Sequence, residues 1–465
     1  MDRPDAPHAD PDPARAAARP RVSTRIRPGV RRWAVLAAVL ALALAVRLPL
    51  APHPGFEPDV AINKGWATSG ARLGLARSYV EQVGDTMLPN YPPLGLAAFV
   101  AVGHVEERLP PADARGAWPS FQVLIKLPAI AFDLATAVLL ALVVGRLASP
   151  RAGLAAALLH ALHPAVLYDS AVWGQVDSIF TFFSLASLSA LALGRGALAP
   201  PLLALAVLAK PQGLILGPLV VFALLRRPRE LFLGSLLAVL VLAAGLAPFA
   251  RDPAIRAAVL RVYTGSVDFY PTLTCSAFNL WWALYGEAAR TKPDHELLLG
   301  LASYRTVGLA LFLGAYAAVL ASLRAALWPP AGPRAAAAAF APLLAGGLVV
   351  CAFHLLATQM HERYLYAFVV LALPLAVVDR RGAWLYAGLS LGFLANLVWA
   401  RPFGALDRAL YGEFPELETL VSVALLALFT LLWRRVRRLV AVPAPSAVLL
   451  PGPAARAAAL AGDAR

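Results

Sequence analysis

The sequence predicts an all-α polytopic membrane protein of about twelve transmembrane helices, with a long first external loop carrying amphipathic helices. Three observations predict it. Apolar blocks of roughly 15–25 residues, each long enough to cross much of a bilayer, recur from Trp33 to Trp433. The 465-residue chain is 60% hydrophobic and 15% charged, with a mean hydropathy of +0.67, whereas a soluble chain is about half apolar and a quarter charged. Its 41 Lys and Arg outnumber 27 Asp and Glu, for a net charge of +14. These basic residues fall in short clusters between apolar blocks, the pattern of positive-inside topology and not of a nucleic-acid-binding face. A soluble enzyme, a disordered chain and a disulfide scaffold are excluded. Cys275 and Cys351 have no metal-ligand neighbours in the sequence and read as packing residues.

Residues 1–32, rich in Pro, Ala, Asp and Arg, read as a disordered cytoplasmic tail. Residues 33–438 form the transmembrane domain, and 439–465 a second short tail rich in Ala, Pro and Arg. The expected spans are 33–50, 121–145, 152–168, 172–193, 197–209, 212–225, 231–250, 302–323, 335–357, 364–378, 383–399 and 419–433. Segment 94–105 is apolar but about half a bilayer long, so it is expected as an interfacial or re-entrant half-helix. With that assignment Arg146 and Arg151, Arg195, Arg226, Arg227 and Arg229, Arg324 and Arg334, Arg380 and Arg381, and the 434–438 cluster all fall inside; a crossing at 94–105 would put every one of them outside. Loops 51–120 and 251–301 are then external, as are the corners at 163–177, 210–212 and 359–363. Polar variety collects on that side. Function is expected at the external face.

Asp59 and Asn63 are four apart, and Trp66 is seven from Asp59, so a helix starting near Pro58 sets all three on one face. Asp59 also fits a simple helix-cap role after Pro58. Tyr91 opens an extended Tyr-Pro-Pro turn. Lys126 and Asp133 share a helical face in the second span. Charges there must face protein or water, and both read as structural polar contacts. Trp173, Gln175 and Asp177 crowd the corner ahead of an apolar helix, marking a polar cavity. Lys210 and Gln212 flank Pro211 between two short spans. Only four lysines occur (Lys64, Lys126, Lys210 and Lys292), and with anchoring left to arginine, Lys210 reads as a phosphate partner or a snorkelling anchor. His361, Glu362 and Arg363 open the 364–378 span. Adjacent His and Glu cannot face one ion from a helix, and position 365 is Leu, so no zinc-peptidase motif is present. No metal and no cofactor are expected.

The order Asp59, Tyr91-Pro-Pro-Leu, Lys126-Leu-Pro with Asp133, His163-Pro-Ala through Trp173-Gly-Gln-Val-Asp177, Lys210-Pro-Gln, Ala277-Phe-Asn-Leu-Trp281 and His361-Glu-Arg-Tyr364 resembles bacterial GT-C glycosyltransferases. The greatest similarity is to mannosyltransferases related to the GPI second mannosyltransferase, and a more distant one is to dolichyl-phosphate-glucose glucosyltransferases. It covers roughly 47–381. Some GT-C branches carry an acidic pair where this chain has only Asp59, which favours a metal-free site. The resemblance implies a polyprenyl-phosphate sugar donor, mannose favoured, and an external lipid- or glycan-linked hydroxyl acceptor. A hydroxyl needs a base, and Asp59 is the candidate. The leaving phosphate needs charge stabilisation, from Lys210, His361 and Arg363. Asn63, Tyr91, Trp173, Gln175, Asp177, Gln212 and Glu362 are the candidates for sugar and acceptor contacts, and segment 94–105 is expected to line an opening for the isoprenoid. The rival readings are a transporter or lipid flippase, for which no internal repeat is found, and a diphosphate-glycan transferase, which would need a large C-terminal domain or a very long periplasmic loop.

Overall fold

The computed structural model describes residues 28–110, 119–265, 269–328, 336–400 and 416–441; most of both expected tails lies outside them. Among the described residues, six helices are long and apolar enough to cross a membrane: Arg31–Leu50, Phe121–Leu147, Pro228–Phe249, Tyr304–Leu327, Arg380–Ala400 and Leu417–Ala441. The protein is thus an all-α polytopic membrane protein. We label its elements in chain order as α1 (Pro28–Leu50), α2 (Glu57–Leu73), α3 (Pro93–Glu106), α4 (Leu127–Leu147), α5 (Pro150–Ala161), α6 (Asp177–Ala192), α7 (Ala199–Ala209), α8 (Gly217–Leu224), α9 (Pro228–Leu246), α10 (Pro253–Thr264), α11 (Leu280–Tyr285), α12 (Tyr304–Leu327), α13 (Ala341–Leu356), α14 (Tyr366–Leu371), α15 (Leu373–Val378), α16 (Arg380–Ala400) and α17 (Leu417–Ala441).

The other six expected spans are short or broken. Segment 172–193 begins on the end of a π-turn and is α-helical only from Asp177, 212–225 opens with a 3-10 turn, and 364–378 is interrupted at Ala372, ahead of Pro374. Burial explains how such pieces persist. Nearly every residue of α13 and most of α6 are buried inside the protein, so their frayed ends meet protein partners instead of hydrocarbon. By contrast α9, whose only buried residue is Gly234, presents its flanks to lipid and is a full-length span.

The first connection folds back on itself. Pro58 stands in the first turn of α2, where its missing N–H costs nothing, and α2 packs along α3. At 14 residues, α3 rises about 21 Å, short of the ~30 Å hydrocarbon core. It also packs on α7. Two short parallel strands, β1 (Thr274–Cys275) and β4 (Met360–His361), clip the 269–303 connection to the chain entering α14. Between them lies an antiparallel hairpin of β2 (Leu297–Leu298) and β3 (Ala302–Ser303).

One polar knot ties the helices below this face. Arg47 of α1 donates to Asp133 of α4 at 3.3 Å and to the Ala161 carbonyl of α5 at 2.6 Å. Ser170 and Tyr366 also donate to the Asp133 carboxylate. Arg47 and Asp133 are fully enclosed, so the intramembrane charges meet each other, as their cost in hydrocarbon requires.

Candidate active site

Connections that are remote in sequence converge at one end of the bundle on a cavity of about 540 Å³, within the usual size of a small-molecule site. Asp59, Asn63, Tyr91, Gln175, Lys210, Gln212, His361 and Arg363 line it. Trp173, Asp177 and Glu362 do not; they stand behind its wall.

Asp59 occupies the first turn of α2, near the positive helix end. Trp173 Nε1 and Gln175 Nε2 both donate to its Oδ2, at 3.0 and 2.6 Å. Its Oδ1 has no partner among the described residues. The two donors are delivered by a single wide turn over 168–173, in which the N–H groups of Gly174 and Gln175 both reach the Asp169 carbonyl at 3.0 Å. Such π-turns are costly and cluster at functional sites. Gly174, at φ +92°, ends the turn in a conformation few other residues tolerate. Gly55 is equally constrained: at φ +70°, an added Cβ would lie 2.4 Å from the Trp173 carbonyl oxygen. The chain before Asp59 therefore passes directly beneath the corner. Lys126 fastens this crossing, donating to the carbonyls of His53, Ala171 and Val172 at 2.6, 3.1 and 2.7 Å.

The cationic side is built around Asp177. Its Oδ1 accepts from Lys210 Nζ at 2.5 Å, and its Oδ2 faces Arg363 Nε at 3.8 Å. Lys210 Nζ also lies 5.6–5.7 Å from the ring centres of Tyr91, Phe180 and Tyr364, a cage that favours a desolvated cation. Arg363 stacks over Trp173 at 5.6 Å and pairs with Glu362 at 3.4 Å. His361 is lowered below the ordinary imidazole range, first by burial and then by the Arg363 charge, so near neutral pH it enters as an uncharged hydrogen-bonding ring.

Sequence reasoning overlooked Arg261 and Tyr270 in this wall and gave Tyr364, quoted only as the end of a motif, no role. Arg261 lies on the exposed side of α10 and forms no ion pair among the described residues. Its only sequence signal is the amphipathic pattern of 253–264. Segment 94–105, expected to line a lateral opening, contributes no residue to the cavity wall, which on this side is made by residues 87–91 and α10. α3 packs instead on α2 and α7, where most of its buried residues go.

The strap that carries His361 and Arg363 is pinned from outside. The buried Asp294 accepts from Arg305 through both oxygens (3.0 and 2.9 Å), from Thr358 at 2.9 Å and from Gln359 at 2.8 Å, holding Gln359 at φ +63°. Burial alone would raise this carboxyl, but the bonds from Arg305, Gln359 and Thr358 together hold it below the ordinary carboxylate range. A lowered folded-state value stabilises fully above the unfolded value of about 3.9 and loses that stability as pH falls through the folded value. The Tm gap between wild type and Asp294→Asn is therefore expected to be full at pH 6–7 and to close progressively below about pH 4. A gap that stays constant down to pH 3 would refute the ion-pair account.

No protein-family model matches this chain, and no curated protein does. Among solved structures, the crystal structure of the Archaeoglobus fulgidus oligosaccharyltransferase in its apo form matches with a TM-score of 0.40 and 13% identity, over 89% of this chain and 56% of that one. The same enzyme tethered through a disulfide to an acceptor peptide containing the NVT sequon matches at the same score and identity, over 90% and 56%. This chain spans little more than half of that protein's length. A likeness this loose lends nothing to the reading of the site.

Proposed function

We propose that this protein is a membrane glycosyltransferase that moves a hexose, mannose favoured, from a polyprenyl-phosphate sugar to a hydroxyl of a lipid- or glycan-linked acceptor on the extracytoplasmic face. One observation carries the reading. A carboxylate held through one oxygen, with the other unpartnered among the described residues, shares a cavity with two cations, the buried Lys210 and the part-buried Arg363. In the proposed reaction the acceptor hydroxyl oxygen attacks the anomeric carbon as its proton passes to Asp59 Oδ1. The bond from that carbon to the phosphate oxygen breaks, and its electron pair leaves with the phosphate. The anomeric centre inverts. The phosphate gains one negative charge, which Lys210 and Arg363 are placed to meet, with His361 donating an uncharged hydrogen bond.

The charge inventory supports a phosphodiester donor. Lys210 already faces Asp177, and Arg363 faces both Glu362 and Asp177. With Lys210 and Arg363 so engaged, Arg261 is left as the wall's cation without an ion pair among the described residues, which suits a ligand of one negative charge better than a diphosphate. Asn63, Gln212 and Tyr91 offer hydrogen bonds for sugar or acceptor hydroxyls, and the arginine distribution between spans supports the extracytoplasmic placement.

The test supplies proteoliposomes of the full chain with polyprenyl-phosphate mannose, glucose or arabinose, radiolabelled in the sugar, together with membrane lipids as acceptors. Transfer of label with matching formation of free polyprenyl phosphate is expected, strongest with mannose. Movement of intact donor between leaflets without cleavage would support the flippase reading and overturn this one.

A further inference from the structure

The hairpin between Asp294 and α12 is built against its own turn chemistry. Leu301 N–H bonds the Leu298 carbonyl at 3.1 Å, and the two residues between them, Leu299 and Gly300, have φ of +52° and +73°. A tight turn with both central residues at positive φ calls for Asn, Asp or Gly at the first of them. Here a leucine holds that position and projects into open space: Leu299 is 87% exposed, Leu301 85% and Leu297 59%. Residues 297–304 carry no charge at all. The neighbouring charges are spent on one another, Lys292 with Glu296, Arg290 with Glu287 and Arg305 with Asp294.

The surroundings say what covers this tip. Strand β3 runs straight into Tyr304, the first residue of the spanning helix α12. The Tyr304 hydroxyl meets that of Tyr285 at 2.8 Å, Trp281 packs edge-on to the Tyr304 ring, and Lys292 lies over both tyrosines. Trp281 and Tyr304 are themselves packed inside, and the accessible pair at the mouth of this spanning helix, the part-buried Tyr285 ring with Lys292 over it, suits the headgroup level of a bilayer. Leu284 beside the cluster, and Leu309 and Leu313 one to two turns into α12, are exposed as well, so the bare leucines of the hairpin continue a lipid-facing apolar surface. A protein partner is a poorer occupant. Three leucines on a tip fall far short of the roughly 1,200 Å² that a stable protein interface buries, whereas lipid demands no shape complementarity.

We infer that the 297–303 hairpin dips into the bilayer leaflet on the cavity side, its exposed leucines anchoring the segment whose Asp294 pins the His361–Arg363 strap. This holds whether or not the protein transfers sugar.

The experiment uses the full chain with Cys275→Ala and Cys351→Ala, reconstituted in phosphatidylcholine–phosphatidylglycerol vesicles. A single cysteine is introduced by Leu299→Cys or Leu301→Cys, with Glu287→Cys as an exposed control, and labelled with an environment-sensitive nitrobenzoxadiazole dye. Dye at 299 and 301 is expected to emit to the blue of dye at 287. Lipids spin-labelled high on the acyl chain should quench it at least threefold more strongly, and aqueous iodide at most half as strongly. Iodide quenching equal to that at 287 would place the tip in water and overturn the inference. Protection from both quenchers would overturn it too, because a protein surface would then cover the tip.

Discussion

Asp59→Asn abolishes sugar transfer while leaving donor binding within about threefold of wild type; this is the expected result with the largest effect. The substitution is conservative by shape. The amide oxygen of Asn can accept the same two hydrogen bonds from Trp173 and Gln175 that Oδ2 accepts now, so the corner keeps its geometry. What the amide cannot do is take a proton. A positioned general base contributes about 10²–10⁴-fold, and single-turnover transfer from labelled donor should fall by that factor. Direct binding of the same donor, measured in parallel, separates chemistry from affinity. A variant that turns over normally would remove Asp59 from the mechanism altogether.

The second large effect is expected at Lys210, where structure and chemistry must be separated. Lys210→Met leaves Asp177 facing only the more distant Arg363. Breaking a buried pair by removing one partner costs about 3–5 kcal/mol, so a fall in Tm alone would say nothing about phosphate. The double variant Lys210→Met/Asp177→Asn removes the stranded charge and is expected to recover most of the stability. Transfer should stay depressed by about 10²–10³, the usual loss for one donor to a developing anion. If stability and transfer return together, Lys210 is a structural counter-ion and the phosphate is held by Arg363 alone.

Much of this site was legible along the chain, wherever local periodicity carried the information. Asp59, Ile62, Asn63 and Trp66 do share the cavity wall, because the helix that Pro58 initiates has a period no tertiary contact can change. Lys210 stood out because lysine is scarce and its neighbours are apolar. Asp133 stood out because a charge deep in a span must find a partner. The partners themselves were not legible: Arg47 lies 86 residues before Asp133, and Tyr366 lies 233 after it. Asp177, a candidate for a sugar contact, lies between Lys210 and Arg363. Its spacing from either says nothing about which oxygen faces which cation.

The sequence by itself determined the solvent, the approximate spans and the candidate general base, since each follows from local hydropathy or from one helical turn. Only the tertiary structure decided that Trp173 and Gln175 orient Asp59, that Arg261, Tyr270 and Tyr364 complete the wall, and that α3 packs on α2 and α7 instead of lining it. Those outcomes depend on long-range packing and on desolvation, and a buried charge is satisfied by whichever group the fold brings within about 3–4 Å of it, wherever that group lies in the chain.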